Sequence, residues 1–136
     1  MAKYAAFGTL LKRGSTTIAA FRSFDGPDLS LDTDDVTTHD SPGAFEEVVA
    51  TILRTGEVSG DIVYDPNAAT QKNAASGLLA DMIARTAQTY SLVYPSTPAV
   101  TWTFSAFVTG FKPAAPHDGA LTAAVKMKIT GQPTLA

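Results

Sequence analysis

The chain has 136 residues, 45% of them hydrophobic and 17% charged, with ten Gly, eight Pro and no Cys. That length suits one domain with a real core. Sparse charge excludes a charge-rich disordered tail and a coiled coil. The missing cysteines exclude a disulfide scaffold, a Cys-based zinc site and a thiol nucleophile.

The net charge of −3 hides a split. Residues 25–65 carry eleven acids and one base, Arg54, a net of −10, while the remainder carries nine bases against Asp81 and Asp118, a net of +7. Such polarity suits self-association or steering. The start, Met1-Ala2-Lys3-Tyr4, lacks the apolar stretch of a signal peptide. The 26 charge-free residues 86–111 hold Pro95, Pro98 and nine Ser or Thr, and their apolar positions alternate. They read as a strand pair and not as a membrane span. A soluble protein made in a cytoplasm, with no membrane insertion, is expected.

In chain order, strands are expected at Phe7–Lys12 and Thr17–Phe24, with turns at Arg13-Gly14 and Asp25-Gly26-Pro27. Leu29–Thr38 alternates in part and is expected to continue the sheet as a polar, exposed strand. Ser41–Gly56 is open between two readings. Phe45, Val48, Val49, Ile52 and Leu53 have helical spacing with Glu46 and Glu47 early and Arg54 late. Val48, Val49, Thr51 and Ile52 are equally good strand formers. The piece is apolar, lies between two acidic segments, and packs either on its own domain or on a neighbour.

Val58–Asp65 is a further strand. A helix is expected over about 68–87, with Asp65 or Asn67 as cap, Pro66 in the first turn, and an apolar stripe of Ala75, Leu78, Leu79, Met82 and Ile83 that Gly77 slightly weakens. A short strand follows at Thr89–Tyr94. The clearest signal is the final pair. Val100, Trp102, Phe104, Ala106 and Val108 alternate with polar residues, and so do Leu121, Ala123, Val125, Met127 and Ile129. Lys112–Gly119, with Pro113, Pro116 and Asp118-Gly119, turns the chain between them. Each strand has one oily and one wet face, as in an antiparallel sheet covering a core on one side.

Chemistry-bearing motifs are missing. His39 precedes Asp40 and His117 precedes Asp118, but sequence neighbours in a strand point apart. There is no Gly-x-Ser-x-Gly elbow and no phosphate loop. The acidic run Asp25–Asp35 lacks the Gly and the closing Glu of an EF-hand loop. Lys112, Lys126 and Lys128 are too few for a nucleic-acid groove, and Trp102 and Phe104 belong to a core face. No catalytic residue, metal site or cofactor is expected, and the chain is not read as an enzyme.

Two stretches resemble a known family. Val36-Thr37-Thr38-His39-Asp40-Ser41-Pro42-Gly43, then Thr55-Gly56-Glu57-Val58-Ser59-Gly60-Asp61-Ile62 and Tyr64-Asp65-Pro66, resemble the middle of the major tail tube proteins of long-tailed bacteriophages. Phe107-Val108-Thr109-Gly110-Phe111, Ala115-Pro116-His117-Asp118-Gly119-Ala120 and Lys128-Ile129-Thr130-Gly131-Gln132-Pro133 resemble its end. With the intervening helix, the resemblance covers about residues 30–134.

The resemblance implies a β-sandwich flanked by one α-helix. Six subunits form a ring whose inner sheets close into one β-barrel, and rings stack into the tube through which DNA leaves the capsid. It implies a single tail-tube domain over 1–136, with an assembly loop at about 37–56 that reaches a neighbouring subunit or ring. Since the chain ends at Ala136, no appended immunoglobulin-like domain is expected. The implied partners are further copies of the chain, the tape measure protein, the initiator or baseplate, and the terminator. DNA passes without specific binding, and the location is the virion tail, assembled in the host cytoplasm.

The residues expected at subunit interfaces are His39, Phe45, Glu46, Glu47, Val48, Val49, Ile52 and Arg54. Those expected in electrostatic contacts or the lumen are Asp32, Asp34, Asp35, Lys126 and Lys128. A related ring protein (a terminator, a baseplate section or a secretion-system tube ring) and a monomeric ligand-binding β-sandwich are the alternatives.

Overall fold

The computed structural model describes residues 3–18, 21–72 and 77–136. Among them the order is β1 (Leu10–Arg13), β2 (Thr16–Thr17), β3 (Phe21–Asp25), β4 (Ser30–Asp35), a 3-10 turn (Pro42–Ala44), β5 (Val48–Arg54), β6 (Glu57–Val63), α1 (Leu78–Ala84), β7 (Gln88–Tyr94), β8 (Val100–Ala114) and β9 (Thr122–Leu135). Seven strands make one antiparallel sheet in the order β2-β1-β7-β8-β9-β6-β3. β4 and β5 pair only with each other.

The two layers of the expected sandwich are the halves of this one strongly curled sheet. Curling brings Leu11, Leu92 and Phe104 from one half into a single cluster with Val58, Ile62, Val125 and Met127 from the other. The alternation in β8 and β9 sets this arrangement. Phe104, Ala106 and Val108, and Ala123, Val125, Met127 and Ile129, are buried, while their polar neighbours stay outside. Burying each large apolar side chain contributes about 1.5–3 kcal/mol before ordering costs. The 115–121 connection returns the chain so that Ala114 pairs with Thr122.

Two local expectations are corrected and one open reading is decided. Leu29–Thr38 does not extend the main sheet; its β4 part belongs to the separate hairpin. In Ser41–Gly56 the strand reading holds over Val48–Arg54, because β4 supplies a ladder for its β-branched residues. The helix is much shorter than 68–87. Asp65–Lys72 forms tight turns, with the Asp65 carboxylate accepting from the Asn67 N–H, and the helix begins only at Leu78.

Gly77 marks the start of the helix. It is extended at the helix N-cap, where a Cβ would lie 1.7 Å from the Lys72 carbonyl oxygen, and the next N–H, of Leu78, donates to the Thr70 carbonyl. Ala75 of the expected stripe lies outside the described residues. Leu78 is buried in the core, and Met82 packs against it. Among the described residues, no helix is long and apolar enough to cross a membrane.

Candidate assembly surface

The β4–β5 hairpin forms an arm. Leu31 pairs with Leu53, Thr33 with Ala50, Asp34 with Val49 and Asp35 with Val48, and a bulge places an extra residue on β5 between Leu53 and Ala50. Every residue of β5 is exposed. Phe45 is 77% and Leu53 74% exposed, and Leu29, Leu31, Val36, Val48, Val49 and Ile52 are also on the surface. A lone two-stranded ribbon is marginal in water, and an apolar surface of this extent marks an interaction site.

The tip of the arm is ordered by its own polar groups. The Thr37 hydroxyl donates to Asp35 Oδ1 (2.6 Å) and accepts from the Glu47 N–H (2.8 Å). Asp35 also accepts from the Thr37 N–H, and these two bonds hold its carboxyl below the usual range. Ser41 Oγ accepts from the Thr38 N–H and donates to Glu47 Oε2 (2.8 Å). Behind Phe45, Ala44 has a left-handed backbone, φ 59°, unusual for a residue with a side chain. Farther down the arm, Arg54 Nε donates to Asp32 Oδ2 at 2.7 Å in an exposed pair.

The arm therefore carries His39, Phe45, Glu46, Glu47, Val48, Val49, Ile52 and Arg54 together with Asp32, Asp34 and Asp35. Lys126 and Lys128 are elsewhere. They project from the exposed side of β9, with Lys126 opposite Ser59 and Lys128 opposite Glu57. His39 and His117 are both exposed, and among the described residues no group of His, Asp or Glu is placed to hold a metal.

Two concave surfaces were not anticipated. At the arm's root, where β9 runs on past the start of β6, a groove of about 700 Å³ is lined by Leu29, Ile52, Leu53, Trp102, Pro133 and Leu135. Trp102, expected in the core, is only half-buried there. The second, about 770 Å³, lies between the N-terminal segment, β3 and β7, and its aromatic wall includes Tyr4, Phe7, Phe21, Phe24 and Tyr94. Leu29 and Leu135 gave no signal beyond being apolar near an element end. Phe7, Phe21 and Phe24 read simply as strand residues, and Tyr4 only as part of the N-terminal start.

Sequence reasoning also missed a buried polar cluster. Arg13 on β1 binds the Asp81 carboxylate of α1 through two donors, and the Tyr90 hydroxyl of β7 donates to the same carboxylate at 2.8 Å. Burial, followed by the Asp81 hydrogen bond, pushes the Tyr90 phenol well above its ordinary range. Its one sequence signal is an acid three residues after Leu78, on the helix face that enters the core.

This architecture, a curled sheet with a detached arm, has relatives. A family model described as lambda phage tail tube protein matches residues 5–136. The chain belongs to that family. A tail tube protein is a structural component of the virion tail. No curated protein matches the sequence.

Among solved structures, a chain of the virion of a native gene transfer agent particle shares 19% identity at a TM-score of 0.77, covering 98% of this tail tube protein and 99% of that chain. A chain from the tail of an empty gene transfer agent particle, refined with C6 symmetry, gives 19% and 0.74, with 98% and 99% covered. One from the sheath/tube terminator of an extracellular contractile injection system gives 15% and 0.74, covering 100% and 98%. At these identities the likenesses show a shared fold.

Proposed function

We propose that this tail tube protein assembles as hexameric rings stacked into a tube, with the β4–β5 arm as the element that joins one subunit to the next. The observation that carries this is the exposed apolar surface of the arm, held on a preformed scaffold that does not pack broadly on its own sheet. Each of Phe45, Val48, Val49 and Ile52 would contribute about 1.5–3 kcal/mol on full burial, less the ordering terms of association. His39, Glu46, Glu47 and Arg54 lie along the same contact. The fold shared with C6-symmetric tail chains supports six-fold closure, and head-to-tail contacts that do not close give filaments.

Asp32, Asp34 and Asp35 on the arm, and Lys126 and Lys128 on the sheet, serve as complementary charges between subunits or as lining of the bore. An acidic bore repels phosphate, so DNA passes without sticking. The single domain over 1–136, with its assembly loop at about 37–56 in the arm, works with a tape measure protein, an initiator or baseplate, and a terminator. Similarity to a sheath/tube terminator and to an anti-feeding prophage cap keeps a capping ring as the second reading.

Electron microscopy of the purified protein at high concentration separates them, since a tube subunit grows filaments and a cap stops at one ring. The Val49→Asp, Ile52→Asp double variant is expected to fold and remain unassembled. Tubes of normal length and yield from it would remove the arm from the mechanism.

A further inference from the structure

Phe45 is displayed rather than merely exposed. It follows the left-handed Ala44, it lies against Gly43, and the Thr37, Ser41 and Glu47 hydrogen bonds fix the turn that carries it. Backbone strain retained at such a point is a signature of a functional contact. Around Phe45 the surface is acidic, with Asp40, Glu46 and Glu47 within five residues. An occupant of this kind, an aromatic ring among carboxylates, needs an apolar socket with a cation on its rim.

The groove between the N-terminal segment, β3 and β7 has that chemistry. Phe21 and Phe24 meet edge-to-face at 5.4 Å in its wall, beside Tyr94. Among the described residues Arg22 is the one charged residue lining it, and no carboxylate forms an ion pair with Arg22. The groove at the arm's root fits less well. Its Arg54 already binds Asp32, its Lys128 stands opposite Glu57, and its apolar wall is mainly aliphatic. Reach is adequate: seven residues of β5 extend about 23 Å, against a radius of gyration of about 14 Å for a chain of this length.

We propose that the arm tip of one copy docks Phe45 into the groove lined by Phe21, Phe24 and Tyr94 of a neighbouring copy, with Glu46 on the tip facing Arg22 on the rim. The proposal rests on the assembly reading above and adds the partner surface for the arm.

Because the chain has no cysteine, engineered pairs report on this contact cleanly. Full-length protein with Glu46→Cys and Ser96→Cys, the latter on the groove rim, is expected to give a ladder of disulfide-linked copies from oxidised tubes. A Glu46→Cys, Gln132→Cys pair, reporting on the root groove, should give none. In parallel, Arg22→Glu and Glu46→Arg should each lower tube yield at least several-fold, and the two together should restore it, with unchanged circular dichroism throughout.

A ladder from the Gln132 pair alone, or normal yield from both single charge variants, overturns the docking site. Since the unmodified protein in the same experiment still forms tubes, those outcomes leave the assembly reading standing. Failure of the unmodified protein to form any ring or tube rejects both.

Discussion

Arg13 and Asp81, 68 residues apart, are joined by a two-pronged ion pair: Nε to Oδ2 at 2.8 Å and Nη2 to Oδ1 at 3.0 Å. Asp81 is 5% exposed, so the pair ties α1 to β1 from inside. Removing Asp81 strands the Arg13 guanidinium, whose side chain is 20% exposed, so the cost falls below the figure of about 3–5 kcal/mol for a fully buried pair. Asp81→Ala is therefore expected to lower the melting temperature by on the order of 10 °C, as read by calorimetry. A loss within error of zero would show that water reaches the site.

Tyr90 adds a pH dependence. Its folded pKa is raised above the ordinary value of 10.0, chiefly by burial and next by the hydrogen bond to Asp81. A raised folded pKa means that the contribution is fully present below the unfolded value and is lost as pH rises past it. Stability should hold to about pH 10 and then fall, with a smaller part from Tyr94, also raised by burial. Tyr90→Phe should cost about 1.5–3 kcal/mol at neutral pH, since the acceptor is charged, and should flatten the alkaline decline. Denaturant melts between pH 8 and 11 measure both effects.

The polar outer pair behaves differently. Arg54 and Asp32 meet at 2.7 Å, but their side chains are 62% and 40% exposed. Exposed pairs contribute about 0–1 kcal/mol. Asp32→Asn should thus leave the urea midpoint of the free subunit nearly unchanged while altering the salt dependence of assembly, as followed by light scattering. A large loss of subunit stability would mean that the arm is integral to the fold.

The contrast between these pairs shows what the sequence made legible. Alternation in Val100–Val108 and Leu121–Ile129 located the central hairpin, because one-sided burial imposes a period of two. The apolar, acid-flanked piece around Val48–Ile52 stands out in the sequence as packing either on its own domain or on a neighbour, and its exposure on β5 shows that it does not pack on its own sheet. Asp81 was not recognisable as a partner of Arg13 and Tyr90, since long-range pairing leaves no local pattern. The helix was overextended because favourable spacing across Ala75, Leu78 and Met82 says nothing of the close approach between Gly77 and the Lys72 carbonyl. The root groove arises where β9 runs on to Leu135 past the start of β6 at Glu57, and such an offset is set by tertiary register.

Thr37 tests whether the arm tip must be preformed. Its hydroxyl links Asp35 to the Glu47 amide, and the Val36 N–H donates to the Glu47 carbonyl at 2.9 Å, so one side chain closes the base of the tip. Thr37→Val keeps the shape and removes all the hydroxyl's bonds. Since the tip lies away from the core cluster, the global melting transition should stay put, whereas amide exchange at Glu47 should accelerate. Ordering a loosened tip on contact opposes association, so nucleation of tubes should slow several-fold at equal protein concentration. Acid acts on the same lock from the other side. The Asp35 pKa is lowered from 3.8, so its contribution is present above that value and is lost as pH falls through the folded pKa. Exchange at Glu47 in the unmodified subunit should therefore approach that of Thr37→Val only below about pH 3.8. An unchanged nucleation rate in Thr37→Val, with exchange clearly faster, would show that the tip orders on its neighbour rather than before it.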